Sequence, residues 1–442
     1  MEKYQPSFNG VPLDRITVAQ ELLDIDNKQR SNLFPWNGQF SPQLIEVLLR
    51  AYSPKKGLVL DPFAGSGTVL YEAGRLGLPV VGAEINPAAC KMAQVYRLMN
   101  TPFSHRKSMM NRLEKALQEC LPAREPSLFS ANGNATDEEV KASLVEIYEV
   151  LSDETSRCVL EALIVLVDFY HEATDEKVYS AWAKLKARVL SLPESEASVR
   201  LLNCDARGLP LHDDEVDFVV TSPPYINVFN YHQQYRRSME ALGWDLLAVA
   251  RSEIGSNRKH RQNRFLTVIQ YCLDMTDVLG ELRRVSKECS RIVLIVGRES
   301  NVRKTRFFNG EIVAALASHC AGFSFVSRQE RVFRNRFGEQ ICEDILHFDV
   351  KKDAHTSLRE PWVIAQEVLT NARKRTPKES LADLDEALSL VGEVQESPIY
   401  DQERANARSS GRAGKRSRHE RIPDAPSGEA IGCPRERQAA GL

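Results

Sequence analysis

The chain has 442 residues, 43% of them apolar, and its 58 Lys and Arg against 60 Asp and Glu leave a net charge of −2. That length allows two to three domains, or one domain with insertions, around a sizeable core. The balance excludes a polycation, so any nucleic-acid affinity has to come from local clusters of Lys and Arg.

Residues 1–33 are polar and mixed and read as an N-terminal arm. "SPQLIEVLLRAY" then opens a helix, with Ser41 as N-cap, Pro42 at the first helical position and Leu44, Val47 and Leu48 on an apolar face. "GLVLDPFAGSGTVLYEAGRLGL" reads as strand, glycine loop and helix, and "PVVGAEINPAACKMAQVYRLM" as strand, acidic end and helix. Strands alternating with helices predict an α/β protein with a mostly parallel sheet. From 101 to 198 the pattern is helical with almost no strand signal, which predicts a helical insertion. Strands return at "VRLLNCDARGL" and "VDFVVTSPPY", followed by a basic loop, the helix "VIQYCLDMTDVLGELRRV", the strand "RIVLIVG", a helix near 309–320 and a terminal antiparallel hairpin. After about 352 the core signal fades. Residues 404–442 hold nine Lys and Arg against four Asp and Glu, a net of +5, and read as a disordered basic tail. The expected organisation is an arm at 1–33, a catalytic domain at 34–100 and 199–350, an insertion at 101–198 and an extension at 351–442.

Nine cysteines are scattered with no CxxC or zinc-like spacing, which points to a reducing compartment and to no metal. "MEKYQPSFNG" lacks an apolar signal core, and no run of about 18 apolar residues occurs. The expected location is the cytoplasm, away from membranes.

Two stretches carry chemistry. In "LDPFAGSGT" an apolar strand ends at Asp61, and Gly65 and Gly67 let the backbone turn tightly and approach a ligand. About 20 residues on, the next strand ends at Glu84, whose carboxylate can accept from both ribose hydroxyls. The loop lacks the lysine of a phosphate-cradling loop and the third glycine of a dinucleotide site. The pair therefore reads as a nucleoside pocket, and Asp61 suits a ligand with a positive amino group. In "TSPPY" two prolines lock a strand end into an extended corner. Ser222 can donate and accept, and Tyr225 offers a flat face, a combination that suits a planar base.

"DPFAGSGT" together with "TSPPY" resembles the S-adenosylmethionine-dependent amino-group DNA methyltransferases, over about 34–100 and 199–350. The resemblance implies a Rossmann-like methyltransferase fold. It implies that Asp61, Phe63, Gly65, Ser66, Gly67 and Thr68 shape the methionine end of the cofactor site, and that Phe40 and Ser41 close over it. It implies that Glu84 binds ribose, that Ile85 packs on adenine and that Asp205 meets the adenine amine. Ser222, Pro223, Pro224 and Tyr225 would hold the target base. Direct transfer to an exocyclic nitrogen is then expected, with no cysteine nucleophile, because no Pro-Cys dipeptide occurs.

A base inside a duplex is out of reach and must be flipped out. Tyr231, His232, Tyr235, Arg236 and Arg237 behind the corner, with Arg258, Lys259, Arg261 and Arg264 in the basic loop, are the expected nucleic-acid contacts. The function expected is site-specific duplex-DNA methylation in a restriction–modification or defence system, with a cognate endonuclease or specificity subunit as partner. Serine before the prolines favours cytosine N4 over adenine N6. An RNA amino-methyltransferase and a non-catalytic cofactor-binding module stand as alternatives. The order of the motifs, the long insertion and the lack of an evident target-recognition domain depart from many members of that family.

Overall fold

The computed structural model describes residue 8 and residues 10–25, 29–121, 136–226, 231–256, 260–334, 338–352 and 358–405. The first strands are short and largely buried, apart from the edge strand β3 with its exposed Arg200: β1 (Val59–Asp61), β2 (Val80–Ala83), β3 (Val199–Leu202) and β4 (Val216–Thr221). Such strands belong in a parallel sheet covered on both sides. β5 (Ser286–Gly297) follows, then a two-stranded hairpin of β6 (Glu299–Val302) and β7 (Thr305–Phe308), then β8 (Ser324–Arg334) and β9 (Gln340–Asp349).

The main sheet has the order β3-β2-β1-β4-β5-β9-β8. β1 to β5 pair in parallel, and β9 runs antiparallel between β5 and β8. This is the Rossmann-like methyltransferase fold that the two motifs imply. The chain order reverses between β1 and β4, and ligands in open α/β sheets bind beyond the carboxyl ends of the strands at such a reversal. β1 pairs with β4 with Leu60 opposite Val219. The glycine loop after β1 and the proline corner after β4 are therefore neighbours by topology alone.

Between β2 and β3 stand the helices Phe103–Cys120, Asp137–Val150, Glu154–Val167 and Asp175–Ser191. Their caps are written in the sequence: Thr136 and Glu139 form a capping box, and Asp153 and Thr174 accept from the first turns behind them. Met110, Leu144, Leu163 and Trp182 from these helices share one core with Val69, Ala88 and Met92, so the helices pack onto the helices Thr68–Arg75 and Pro87–Ala93 that cover the sheet.

Two expectations change. The core does not fade after 352: helices Pro361–Ala372 and Leu381–Ser389 bury Ile364, Ala365, Leu369, Leu384 and Ala387 on the second face of the sheet. Those apolar positions are separated by charged residues, which dilutes the composition without breaking the helical stripe. The β6–β7 hairpin had no signal either. Its turn residues Arg303 (φ 47°) and Lys304 (φ 63°) take the left-handed conformation usually marked by Asn or Gly. The tail beyond 405 lies outside the described residues. No helix among the described residues is long and apolar enough to cross a membrane.

Candidate active site

Beyond the ends of β1 and β4 lies a cavity of about 1200 Å³. Phe63, Gly65, Ser66, Thr68, Glu84 and Ile85 line one side, and Ser222, Pro223, Pro224 and Tyr225 another, so both motifs open into one space.

The glycine loop is shaped by what crowds it. Gly67 has φ 90°, and a Cβ there would lie 2.8 Å from the Tyr96 ring and 2.9 Å from Ala93. Gly67 does not line the cavity; it lets the loop pass between Tyr96 and the ligand side. Residues 32–40 close over the loop through hydrogen bonds from Ser66 to Gln39 at 2.9 Å and from Thr68 to Asn32 at 2.9 Å. Asn32 also donates to the Phe40 carbonyl at 2.6 Å, which places Phe40 in the wall. Ser41 stands behind that wall as the residue before the helix Pro42–Tyr52.

Glu84 faces the cavity from the end of β2. Its Oε2 accepts from the Gly65 amide and its Oε1 from the Asn86 amide, both at 2.8 Å. The carboxylate oxygens offer four lone pairs between them, more than these amides and the Ile85 amide use, which leaves acceptor capacity for a ribose hydroxyl. What exposure Glu84 has is to this cavity rather than to bulk water, and desolvation pushes its carboxyl up to about 7. These features, with Phe63 and Ile85 as apolar walls, fit the adenosine of S-adenosylmethionine. When bound, that cofactor supplies an electrophilic methyl group on a sulfonium.

Two cofactor assignments need correction. Asp61 is buried (1% exposed) and does not reach the wall. It accepts from the Thr221 hydroxyl at 2.7 Å and the Phe63 amide at 3.2 Å, with no cation among its described partners, and desolvation pushes it up to about 7. It braces β1 against β4 from behind the ligand. Asp205 does touch the cavity, but its oxygens are occupied. Oδ1 accepts from the Arg207 amide and Nε, and Oδ2 from an Arg207 terminal nitrogen and the Tyr400 amide, all at 2.7–3.0 Å. No lone pair is left for an adenine amine.

At the proline corner, the Ser222 and Tyr225 hydroxyls share a hydrogen bond of 3.0 Å. Burial raises the Tyr225 phenol above its ordinary range, so it stays protonated. The Tyr225 ring lies on Gly297 at the end of β5, where a Cβ would come within 3.0 Å of it. The Tyr225 carbonyl meets Gly255, where a Cβ would stand 2.4 Å away. The corner is thus held between two glycines that carry no motif of their own. β-sheet register continues this wall: Gly297 pairs with Glu343 on β9, and Glu343 pairs with Arg331 on β8. Directly paired residues share a face, which brings the Glu343–Arg331 ion pair (2.8 Å) beside Tyr225.

The expected nucleic-acid contacts scatter. Tyr231 lines the cavity and stacks on Trp36 (5.9 Å, 14°), and burial pushes its phenol up to about 12. Tyr235 stacks on Trp36 as well (6.4 Å, 18°) and donates to the Pro35 carbonyl, so it braces the closing segment. His232 is not a contact: it is fully buried, with its amide and Nδ1 both bonded to Glu253 at 2.8 and 2.7 Å. Arg236 pairs with Glu240, and Arg237 is exposed over the Tyr170 ring. Arg258 and Lys259 lie outside the described residues. Arg261 is exposed, Arg264 sits near Arg303, and neither lines the cavity. Trp36, Gln39, Gly255, Gly297, Glu343 and Tyr400 had no assigned role. Trp36 and Gln39 stand just before the helix that opens at Pro42, in the stretch 34–40 that carries Phe40; the others become neighbours only through the fold. No cluster of metal-ligating side chains occurs among the described residues.

Comparison with known proteins adds three kinds of relative. A family described as DNA methylase matches residues 18–95. The Type II methyltransferase M.MjaII of Methanocaldococcus jannaschii is 35% identical over 68 residues, covering 15% of this chain and 13% of that protein. M.BsoBI of Geobacillus stearothermophilus is 24% identical over 303 residues, covering 55% of this chain and 59% of its own. A tRNA (guanine(10)-N2)-dimethyltransferase of Methanothermobacter thermautotrophicus is 43% identical over 80 residues, 16% of this chain and 24% of that protein. The chain thus spans less than two thirds of the length of each.

Proposed function

We propose, from the chain's place in the S-adenosylmethionine-dependent amino-group DNA methyltransferase family, that it methylates an exocyclic base amine in DNA, with cytosine N4 favoured over adenine N6. The observation that carries this is the shared cavity: the Ser222–Tyr225 corner opens into the same space as Gly65 and Glu84. An amine conjugated to its ring is a weak nucleophile. Hydrogen bonds from its two protons to the Ser222 hydroxyl and the Pro223 carbonyl favour the tetrahedral nitrogen that can attack. The Ser222 and Tyr225 hydroxyls share one hydrogen bond, and with the serine as its donor both serine lone pairs are left to accept from the amine. Serine before the prolines leans toward cytosine N4 in that family, where adenine enzymes more often carry Asp or Asn, and this is the ground for cytosine N4. The prolines fix the carbonyl in place, so little reorganisation is needed at the moment of reaction. The cavity also excludes bulk water from the nitrogen once a base and the closing segment 32–40 cover it.

The reading includes a flipped target base, since nothing in a stacked duplex reaches the corner, and a restriction–modification setting with a cognate endonuclease. A second reading has one specific support: the tRNA guanine-N2 relative also acts, by its name, on an exocyclic amine. The deciding assay supplies tritiated S-adenosylmethionine with duplex DNA, single-stranded DNA and RNA, followed by nucleoside analysis. N4-methylcytosine from duplex DNA is the expected product. N6-methyladenine would overturn the base, label in RNA alone would overturn the polymer, and no label would overturn the activity. Tyr225→Ala should abolish label while S-adenosylhomocysteine still binds.

A further inference from the structure

Residues 395–401 belong to no motif, yet they are tied to the adenosine end of the cavity. Gln270 donates to the Gln395 carbonyl at 2.9 Å. The Ser397 amide and hydroxyl both donate to Asp274, each at 2.7 Å. Arg207, its side chain 1% exposed, bridges Asp205 and Asp274 and also donates to the carbonyls of Ser397 (2.7 Å) and Pro398 (3.0 Å). The Tyr400 amide takes the last lone pair of Asp205, and the Tyr400 hydroxyl donates to Asn203 Oδ1 at 2.8 Å.

Asn203 joins this segment to the cavity. Its Nδ2 donates to the Glu84 carbonyl at 2.7 Å and approaches the Ile85 carbonyl at 3.4 Å. A side-chain amide can flip, which would turn its oxygen toward those two carbonyls and repel them. A hydroxyl donor on Oδ1 selects the orientation that holds the turn. The turn in question carries Glu84 and Ile85, the residues that face the nucleoside.

We propose that residues 395–401 are a latch on the cofactor site and that Tyr400 is its positioning residue, holding the Glu84–Ile85 turn through Asn203. The proposal rests on the cofactor reading above. It also gives Asp205 a different role from contact with adenine: it is the anchor of the latch. Because a docked latch orders the turn that the cofactor needs, binding and docking reinforce each other, and the coupling is reciprocal.

The test uses the full chain and Tyr400→Phe, which keeps the ring and the amide and removes only the hydroxyl. Titration calorimetry with S-adenosylhomocysteine should show affinity weakened about 3- to 10-fold, the range for loss of one hydrogen bond. 5′-Methylthioadenosine, which has the adenosine without the amino-acid end, should weaken by the same factor. Ser66→Ala, at the other end, should weaken only S-adenosylhomocysteine. Adding Tyr400→Phe to Asn203→Ala should cost nothing further, because both act through one bond. In the wild type, S-adenosylhomocysteine should slow hydrogen exchange at the Ser397 and Tyr400 amides, a readout that does not depend on turnover. Unchanged affinity in Tyr400→Phe, or tighter binding, would overturn the latch while leaving the cofactor site intact. A folded wild type that binds neither compound would overturn the cofactor reading and the latch with it.

Discussion

The two walls of the cavity are assembled from very different spans of chain. The cofactor wall comes from one run of chain, Pro62 to Asn86, with residues 32–40 folded over it. Its chemistry is local: a strand end, two glycines, a second strand end. The target wall is gathered from Tyr225, Gly255, Gly297, Arg331 and Glu343: sheet register aligns the last three, and the Tyr225 corner is held between Gly297 and the loop residue Gly255. A wall of the first kind is conveyed by a motif. A wall of the second kind exists only when strands far apart in sequence have paired in one register.

If the walls are separate, each can be damaged without the other. The largest effect should come from Gly255→Ala. Its φ of 72° already disfavours a side chain, and the new Cβ would stand 2.4 Å from the Tyr225 carbonyl. The corner must shift, and a displacement of that kind costs on the order of 100-fold in rate. Single-turnover methyl transfer should fall by about that factor while S-adenosylhomocysteine affinity stays within about twofold. Equal loss of both would show that the two walls move as one.

The cofactor wall should show itself through pH. The Asp61 and Glu84 carboxyls are raised from 3.8 and 4.5 to about 7, desolvation being the largest cause in each. The folded protein therefore holds protons that the unfolded chain has released. Stability from this source is complete below about pH 4 and is lost as pH rises through about 7. The melting temperature of the unliganded protein should fall across that window, and Asp61→Asn should flatten the slope. A slope unchanged by Asp61→Asn would show that this carboxyl does not titrate there.

The smallest effect sharpens the contrast at the hairpin next to the target wall. Lys304 sits at φ 63° in a two-residue turn, and its contact with Glu379 at 3.5 Å is between exposed groups. Lys304→Gly relieves the backbone at little electrostatic loss and should stabilise the protein by about 0.5–1 kcal/mol in urea unfolding. Transfer kinetics should not change.

The same contrast explains what could be read beforehand. Alternating strands and helices, the glycine loop and the proline corner were visible because each is a short contiguous pattern with a physical cause. His232 was misjudged because its neighbours Tyr231 and Tyr235 suggested a contact surface; the carboxylate that buries it, Glu253, lies 21 residues away. Asp205 was given to adenine although Arg207, two residues on, takes three of its four acceptor sites; the Tyr400 amide that takes the fourth lies 195 residues away and leaves no local sign. The β6–β7 hairpin was missed for want of Gly or Asn at its turn, and the helices after 361 because charged residues between their apolar positions masked a core-facing stripe.

The Tyr400 amide reaches Asp205 across 195 residues of sequence. During synthesis, the glycine loop, both acidic strand ends and the proline corner all leave the ribosome before that donor exists. Asp205 therefore waits, with one oxygen only half satisfied, until nearly all of the described chain has been made. The nucleoside end of the site is begun with Glu84 and completed only when Tyr400 has been made.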